Sequence, residues 1–207
     1  MASYTIFQDT MAGTNGTSLT SHPPQLGPAT DWLTTGTTAI IESNSAVIGT
    51  ASSPAQNYIV TGEWGPVQVD FDYSLVDATS ELQVYINANS TLTEYIGVQL
   101  SAVVGASAMQ ISDGTYTYTR SFDPPTGTGS HHCTFVWTGR ELHTWIDGGY
   151  KKDVGANSAN PTGTVVAFTL TAPTTNYSTK LSNLRVHGPA QSPLSYPPAP
   201  YPGNLGQ

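Results

Sequence analysis

Residues His132 to Asp147 read HCTFVWTGRELHTWID, two alternating runs joined by Gly139-Arg140. Side chains of a strand point to opposite faces with period two. Cys133, Phe135 and Trp137 therefore share one face of the first run, and Leu142, Thr144 and Ile146 share one face of the second. Glycine at the first central position of a two-residue loop suits a type II′ turn, because that position needs a positive φ. The turn sets Trp137 opposite Leu142, Phe135 opposite Thr144 and Cys133 opposite Ile146. The apolar faces coincide, so pattern and turn agree on one register. Asp147-Gly148-Gly149 then turns the chain again.

Working outward, the rest of the chain reads the same way. Tyr4–Asp9, Ala39–Glu42, Ala46–Thr50 and Asn57–Thr61 are short strands. Val67, Val69, Phe71 and Tyr73 alternate with Gln68, Asp70 and Asp72, the pattern of a half-buried strand. Leu82, Val84 and Ile86 repeat it, as do Ile96, Val98 and Leu100. Ala108–Ile111 and Thr115–Phe122 flank an Asp113-Gly114 turn. Val165–Leu170 and Leu181–Val186 close the domain. About a dozen strands, with no amphipathic helix and no internal repeat, predict an all-β, two-sheet antiparallel sandwich over residues 1–187. From Gly188 the chain carries six prolines in twenty residues, GPAQSPLSYPPAPYPGNLGQ. Proline cannot donate to a sheet ladder, so 188–207 is an extended tail. It is either a loose terminus or an arm on a neighbouring subunit, with Tyr196 and Tyr201 as anchors.

Composition narrows the partners. The 207 residues suffice for a core without disulfide staples, and charged residues are only 10%. Net charge is −8, and residues 1–119 hold no lysine or arginine. So few cations disfavour nucleic-acid binding, which rests on neutralised phosphates, and offer no basic patch to anionic membranes. No apolar run reaches the ~20 residues of a membrane span. MASYTIFQDT has no basic region followed by an apolar run, so no secretory signal is expected, and the protein is expected to be made in a cytoplasm. The single cysteine, Cys133, lies on the apolar face of its strand and reads as a small core residue.

Two segments resemble a family. FQDTMAGTNGTSLTSHPPQLGPATDW is similar to the start of concanavalin A-like (LamG-type) domains in tail proteins of phages. The shared elements are Asp9, Gly16-Thr17, Leu19, His22-Pro23-Pro24 and Trp32. Met11 departs from the family, which often has an aromatic there. HHCTFVWTGRELHTWIDGG resembles the family's penultimate hairpin and LSNLRVHG its last strand. The resemblance implies a concanavalin A-like jelly roll in a virion, in the tail tip, fibre or baseplate. It implies partners among other virion proteins and copies of the chain itself, as a homo-oligomer, and a lectin-like domain for host surface glycans. It does not supply a ligand, because fold alone does not give function.

Chemistry is sparse. Hydrolases with this fold resemble a Glu-x-Asp-x-x-Glu strand motif, which is absent; Asp70 and Asp72 come nearest and read as solvated face residues. No catalytic residue, cofactor or metal site is expected. His131 and His132 point to opposite faces, and the hairpin register sets His132 opposite Asp147 as a surface pair and His143 opposite Val136. Calcium through Asp70, Asp72, Asp113 or Asp147 lacks a supporting ligand run. No G-x-S-x-G elbow or phosphate-binding glycine pattern is present. Sequons at Asn15, Asn89 and Asn176 read as chance matches in an Asn/Thr-rich chain.

Sugar binding has the best case. Asp70, Asp72, Gln83, Tyr85, Tyr95, Gln99, His143 and Trp145 occupy outward positions and mix aromatic, amide and carboxylate groups. If their strands share a sheet they form a glycan-binding face; an interface between subunits suits Trp and Tyr equally and is favoured for Trp145. Trp32, Trp64 and Trp137 read as core or loop anchors. Three readings compete: a phage tail component with a lectin-like domain, a capsid decoration or head-fibre protein of the same fold, and a glycan-binding or glycan-cleaving protein outside any virion.

Overall fold

The computed structural model describes residues 4–28, 30–47, 54–62, 64–76, 79–123, 125, 129–156, 161–171 and 178–188. Among the described residues fifteen strands carry the fold. In chain order they are β1 (Tyr4–Asp9), β2 (Leu33–Gly36), β3 (Ile40–Glu42), β4 (Ser45–Val47) and β5 (Ala55–Val60). Then come β6 (Val67–Leu75), β7 (Glu81–Ala88), β8 (Glu94–Ser101), β9 (Ser107–Asp113) and β10 (Thr117–Phe122). The last are β11 (His131–Trp137), β12 (Glu141–Ile146), β13 (Gly149–Gly155), β14 (Val165–Thr171) and β15 (Thr179–Gly188). The helical content among the described residues is one 3-10 turn, Leu19–Ser21.

The strands form two antiparallel sheets. The first has the order β13-β12-β11-β6-β15-β4-β3, with β1 also on β15; the second has the order β10-β9-β8-β7-β14-β5-β2. Between them lies one continuous core, including Phe71, Phe135 and Trp137 from the first sheet and Val84, Val98 and Phe168 from the second. The expected two-sheet sandwich is what forms. Its driving force is apolar burial, period two over most of β6 and all of β12 and more continuous in β7 and β8.

The organising hairpin has the expected register, with Trp137 paired to Leu142, Phe135 to Thr144 and Cys133 to Ile146. Gly139 supplies the positive φ, +91°. Cys133 is fully buried, and burial pushes its thiol pKa well up, so it is a core residue. Trp32 and Trp137 are core residues, and half-buried Trp64 is a loop anchor, held through its backbone by the side chain of Asn87.

Two strands lie outside the alternating runs. In β13, GYKKDVG, only Val154 is buried, and in β2, LTTG, no residue is. Both are edge strands, defined by their ladders to β12 and β5 rather than by an apolar period. The sequence elements singled out near the N-terminus meet at one point. The carboxylate of Asp9, fully buried at the end of β1, accepts from His22 Nε2 at 2.9 Å, Trp32 Nε1 at 2.7 Å and the Met11 amide at 2.8 Å. Met11 itself fills core space with φ +55°. Beyond Gly188 the tail, with Tyr196 and Tyr201, lies outside the described residues.

Candidate functional site

The eight outward residues do not share a face. Gln83 and Tyr85 on β7 and Tyr95 and Gln99 on β8 lie on the second sheet; Asp70 and Asp72 on β6 and His143 and Trp145 on β12 lie on the first. The outer faces of a sandwich point in opposite directions, so the set divides into two surfaces. Alternation tells outward from inward but not which sheet a strand joins.

On the second sheet the register aligns outward residues into two rows across the strands. One row runs Leu33, Tyr58, Ala167, Tyr85, Gly97, Gln110, Thr119, each paired with the next. Its neighbour runs Thr35, Gln56, Thr169, Gln83, Gln99, Ala108, Ser121. The first row is aromatic and apolar over most of its length, and the second is amide and hydroxyl.

Gly97 makes the aromatic row possible. A strand glycine often marks a close approach. Here the Tyr85 ring lies across it, and the phenol passes beyond β8 to donate to Gln110 Oε1 at 2.9 Å. Tyr95 stacks on Tyr85 with centroids 4.4 Å apart and planes at 30°. Tyr85 is thereby 3% exposed although its strand position is outward, while Tyr95 stays half-buried. Burial, the neighbouring Tyr95 and Glu81 push the Tyr85 pKa well up, so the phenol is a fixed donor. Burial also raises Tyr95, against the lowering effect of its bond with Thr117. Tyr58, Leu92, Ala88, Val165 and Ala167 complete a small apolar cluster outside the main core.

The amide row is pre-ordered by hydrogen bonds. Glu81 Oε1 accepts from Gln83 Nε2 at 2.9 Å, and Glu81 Oε2 from Gln99 Nε2 at 3.0 Å. Gln110 Nε2 donates to Gln99 Oε1 at 3.0 Å, joining the amide row to Tyr85. At the β2 end an open groove of about 570 Å³ runs past Thr35, Gln56, Gln83, Leu92 and Thr169. Tyr58, Glu81 and Gln110 were not among the sequence candidates. Gln110 alternates with Met109 and Ile111, and that alternation could have found it.

The outer face of the first sheet is built differently. Asp70 accepts from Gln68 Nε2 at 2.8 Å and Thr134 Oγ1 at 2.6 Å, with His187 Nε2 at 3.3 Å. Asp72 meets His132 Nδ1 at 2.7 Å and accepts from Asn183 Nδ2 at 2.7 Å. The two aspartates are half-buried members of a hydrogen-bonded network on this face. The expected pairing of His132 with Asp147 is also corrected. The strands do set them opposite, but the His132 ring turns the other way, across to its register partner Asp72 on β6, and Asp147 instead binds the His131 ring at 2.8 Å and the His132 amide at 2.9 Å. His143 lies opposite Val136 as expected. Trp145 joins Tyr150, centroids 5.4 Å apart, and His143, at 6.1 Å.

These geometries bear on chemistry. Glycoside cleavage needs two carboxyl groups flanking the bond, ~5–9.5 Å apart. Among the outward positions of β7, β8 and β9 the one acid is Glu81, with both oxygens engaged by amides. Among the described residues no group of three or more His, Cys, Asp or Glu is placed to hold a metal ion. What the second sheet offers is a shallow, pre-ordered strip with the half-buried rings of Tyr58 and Tyr95 along one side and amides along the other.

The comparisons with known proteins match the fold. No family model and no curated protein matches the sequence. Solved structures do. A glycosyl hydrolase family protein from Mycobacterium fortuitum superposes with TM-score 0.59 at 13% identity, over 88% of this chain and 99% of that one. A Bacillus subtilis protein of unknown function with a galectin-like fold gives 0.58 at 12%, over 84% and 97%. The carbohydrate-binding module CBM66 from Bacillus subtilis gives 0.51 at 9%, over 75% and 94%. The fold is a galectin-like, concanavalin A-like β-sandwich, and at these identities the likeness extends to the fold alone.

Proposed function

We propose that this protein is a glycan-binding module, and that the glycan lies across the strands on the outer face of the second sheet. The observation that carries this is a pair of half-buried rings, Tyr58 and Tyr95, packed around buried Tyr85 and lying beside a register row of amides and hydroxyls. A pyranose presents apolar C–H faces and equatorial hydroxyls, and a strip of this kind meets both. From β2 to β8 the strip spans four strand spacings, ~19 Å, enough for a short oligosaccharide. The lectin-like folds among the similar structures support the reading. Because Glu81 is the lone acid of the strip, the module binds without cleaving.

Its setting is a tailed-phage virion, with the tail as the first place and the capsid surface as the second. This rests on the likeness of FQDTMAGTNGTSLTSHPP and HHCTFVWTGRELHTWIDGG to phage tail domains. Several copies binding weakly together would raise avidity by ~10²–10⁴. The Trp145, His143 and Tyr150 cluster, on the opposite face, serves as a contact between virion subunits. Outside a virion the same strip would serve a free glycan-binding protein.

The test is a panel of host-envelope and plant polysaccharides, read with the wild type and a Tyr95→Ala variant. Binding that falls about tenfold in the variant, ~1.4 kcal/mol, supports the strip. Equal binding by both proteins overturns it. Antibody labelling of native particles by electron microscopy tests the setting: label at the tail supports the tail reading, label over the head favours decoration, and particles without label remove the virion.

A further inference from the structure

The two sheets end side by side. β10 is the last strand of the second sheet, β13 is the last of the first, and they pack against each other along one flank of the sandwich. Half of the chain's six basic residues sit on this seam: Arg120 from β10, Lys151 and Lys152 from β13. Arg120 lies between Tyr118 and Phe122 and pairs with core Met109, so it leaves the inward side of its strand. Lys152 pairs with fully buried Thr144 and does the same. Each strand thus sends a cation into the seam.

Two grooves follow. One, of about 310 Å³, is lined by Arg120 with Thr119, Asp153 and Gly155; the other, of about 300 Å³, by Lys151 and Lys152 with Ser121 and Asp123. Among the described residues the ion pairs are all histidine–carboxylate pairs, and none involves Arg120, Lys151 or Lys152. The grooves also hold two acids, which keep their charge: Asp123 accepts from the Gly105 amide, a wall of the same groove, at 2.8 Å, and Asp153 from the Tyr150 hydroxyl at 2.7 Å. The seam therefore sets three cations, none in an ion pair, against two carboxylates, a small positive excess on a chain of net charge −8.

Position gives the seam a use. The two rows of the second sheet end on β10 at Thr119 and Ser121, and these same residues form walls of the two grooves. A polymer lying along the rows runs off the sheet into the seam. We propose that the seam is a subsite for the anionic groups of a polysaccharide, so that the protein's glycan is charged. The polymer's identity as a glycan rests on the reading of the second sheet; the charge subsite does not.

Binding of the full chain to dextran sulfate, carboxymethyl dextran and plain dextran tests it, alongside an Arg120→Gln/Lys152→Gln double variant. The expected result is binding to a charged dextran but not to plain dextran. It should weaken steeply from about 20 to about 300 mM salt and fall about tenfold in the double variant. No binding to either charged dextran, or binding that the double variant leaves unchanged, overturns the subsite. Edge-strand cations that only guard against sheet-to-sheet association would show as the second outcome, with the variant self-associating in sedimentation. Tyr95→Ala on the polysaccharide panel reads the sheet separately, so either proposal can fail without the other.

Discussion

The ring of Tyr85 occupies the space that Gly97 leaves empty on the neighbouring strand. A Cβ at Gly97 would lie 2.8 Å from Tyr85 Cδ1 and 2.0 Å from the Val84 carbonyl oxygen. The second contact is with backbone, which cannot swing aside. The order of the aromatic side depends on this fit, since the ring places the phenol on Gln110 and gives Tyr95 its stacking partner.

Gly97→Ala should therefore cost stability and function together. Overpacking of this kind costs about 1–3 kcal/mol. Chemical denaturation should show that loss, and the near-ultraviolet circular dichroism of the tyrosines should change. Glycan binding should fall at least as far as in Tyr95→Ala. A variant with native stability and an unaltered tyrosine signal would mean that the ring is not seated as described.

Asp9 holds the N-terminal segment by a different principle. Its buried carboxylate satisfies the Trp32 indole, the His22 ring and the Met11 amide at once. Asp9→Ala leaves these polar groups in the interior without their acceptor, and such losses cost about 3–5 kcal/mol. Asp9→Asn keeps one acceptor oxygen and should fall between. Urea midpoints of the three proteins, at constant m-value, measure the order. A native midpoint for the alanine variant would show that the cluster is incidental.

That cluster shows what the sequence could carry. Asp9, His22 and Trp32 are spread over 24 residues, and only a resemblance of pattern connected them before the geometry placed them on one carboxylate. The β11–β12 hairpin was legible without help, because period two and a turn glycine fix a local register. The candidate face was not. β6 is followed directly in the chain by β7, yet they belong to different sheets, and β6 pairs instead with β11 and β15. Such long-range pairings are settled by the whole core, not by any window of sequence. Tyr85 shows the same limit: outward by alternation, it is buried by Gly97 and Tyr95, and only the register reveals that.

Glu81 is the junction of the amide row, and its two oxygens hold the cross-strand pair Gln83 and Gln99, one oxygen to each. In Glu81→Gln one oxygen becomes an amide nitrogen that faces another donor. One of the two glutamines then turns away, at a cost of about 1 kcal/mol. Glycan affinity should drop severalfold with little change in the unfolding midpoint. An unchanged affinity would place the ligand elsewhere on the sheet. A gain of hydrolysis is expected in neither protein, and reducing-end release from bound polysaccharide checks this.

The tip of the β9–β10 hairpin should respond to acid. Asp113 Oδ1 accepts from the Tyr116 amide at 2.8 Å and the Thr115 amide at 2.9 Å, and these backbone bonds hold its carboxyl below the usual carboxylate range. A folded-state pKa below the unfolded value means that ionised Asp113 favours the folded hairpin. That contribution is fully present above the unfolded pKa of ~3.9 and is lost as pH falls through the lower folded value. Carbon-detected NMR titration of the Asp113 carboxyl should give a midpoint below that of an unfolded peptide carrying the same residues. The amides of Thr115 and Tyr116 should move with the same midpoint, since they donate to the titrating oxygen. Asp113→Asn should abolish this titration while leaving the Gly114 turn, φ +85°, in place. Amide shifts that titrate at the unfolded peptide's midpoint would mean that the loop does not hold the carboxylate in solution.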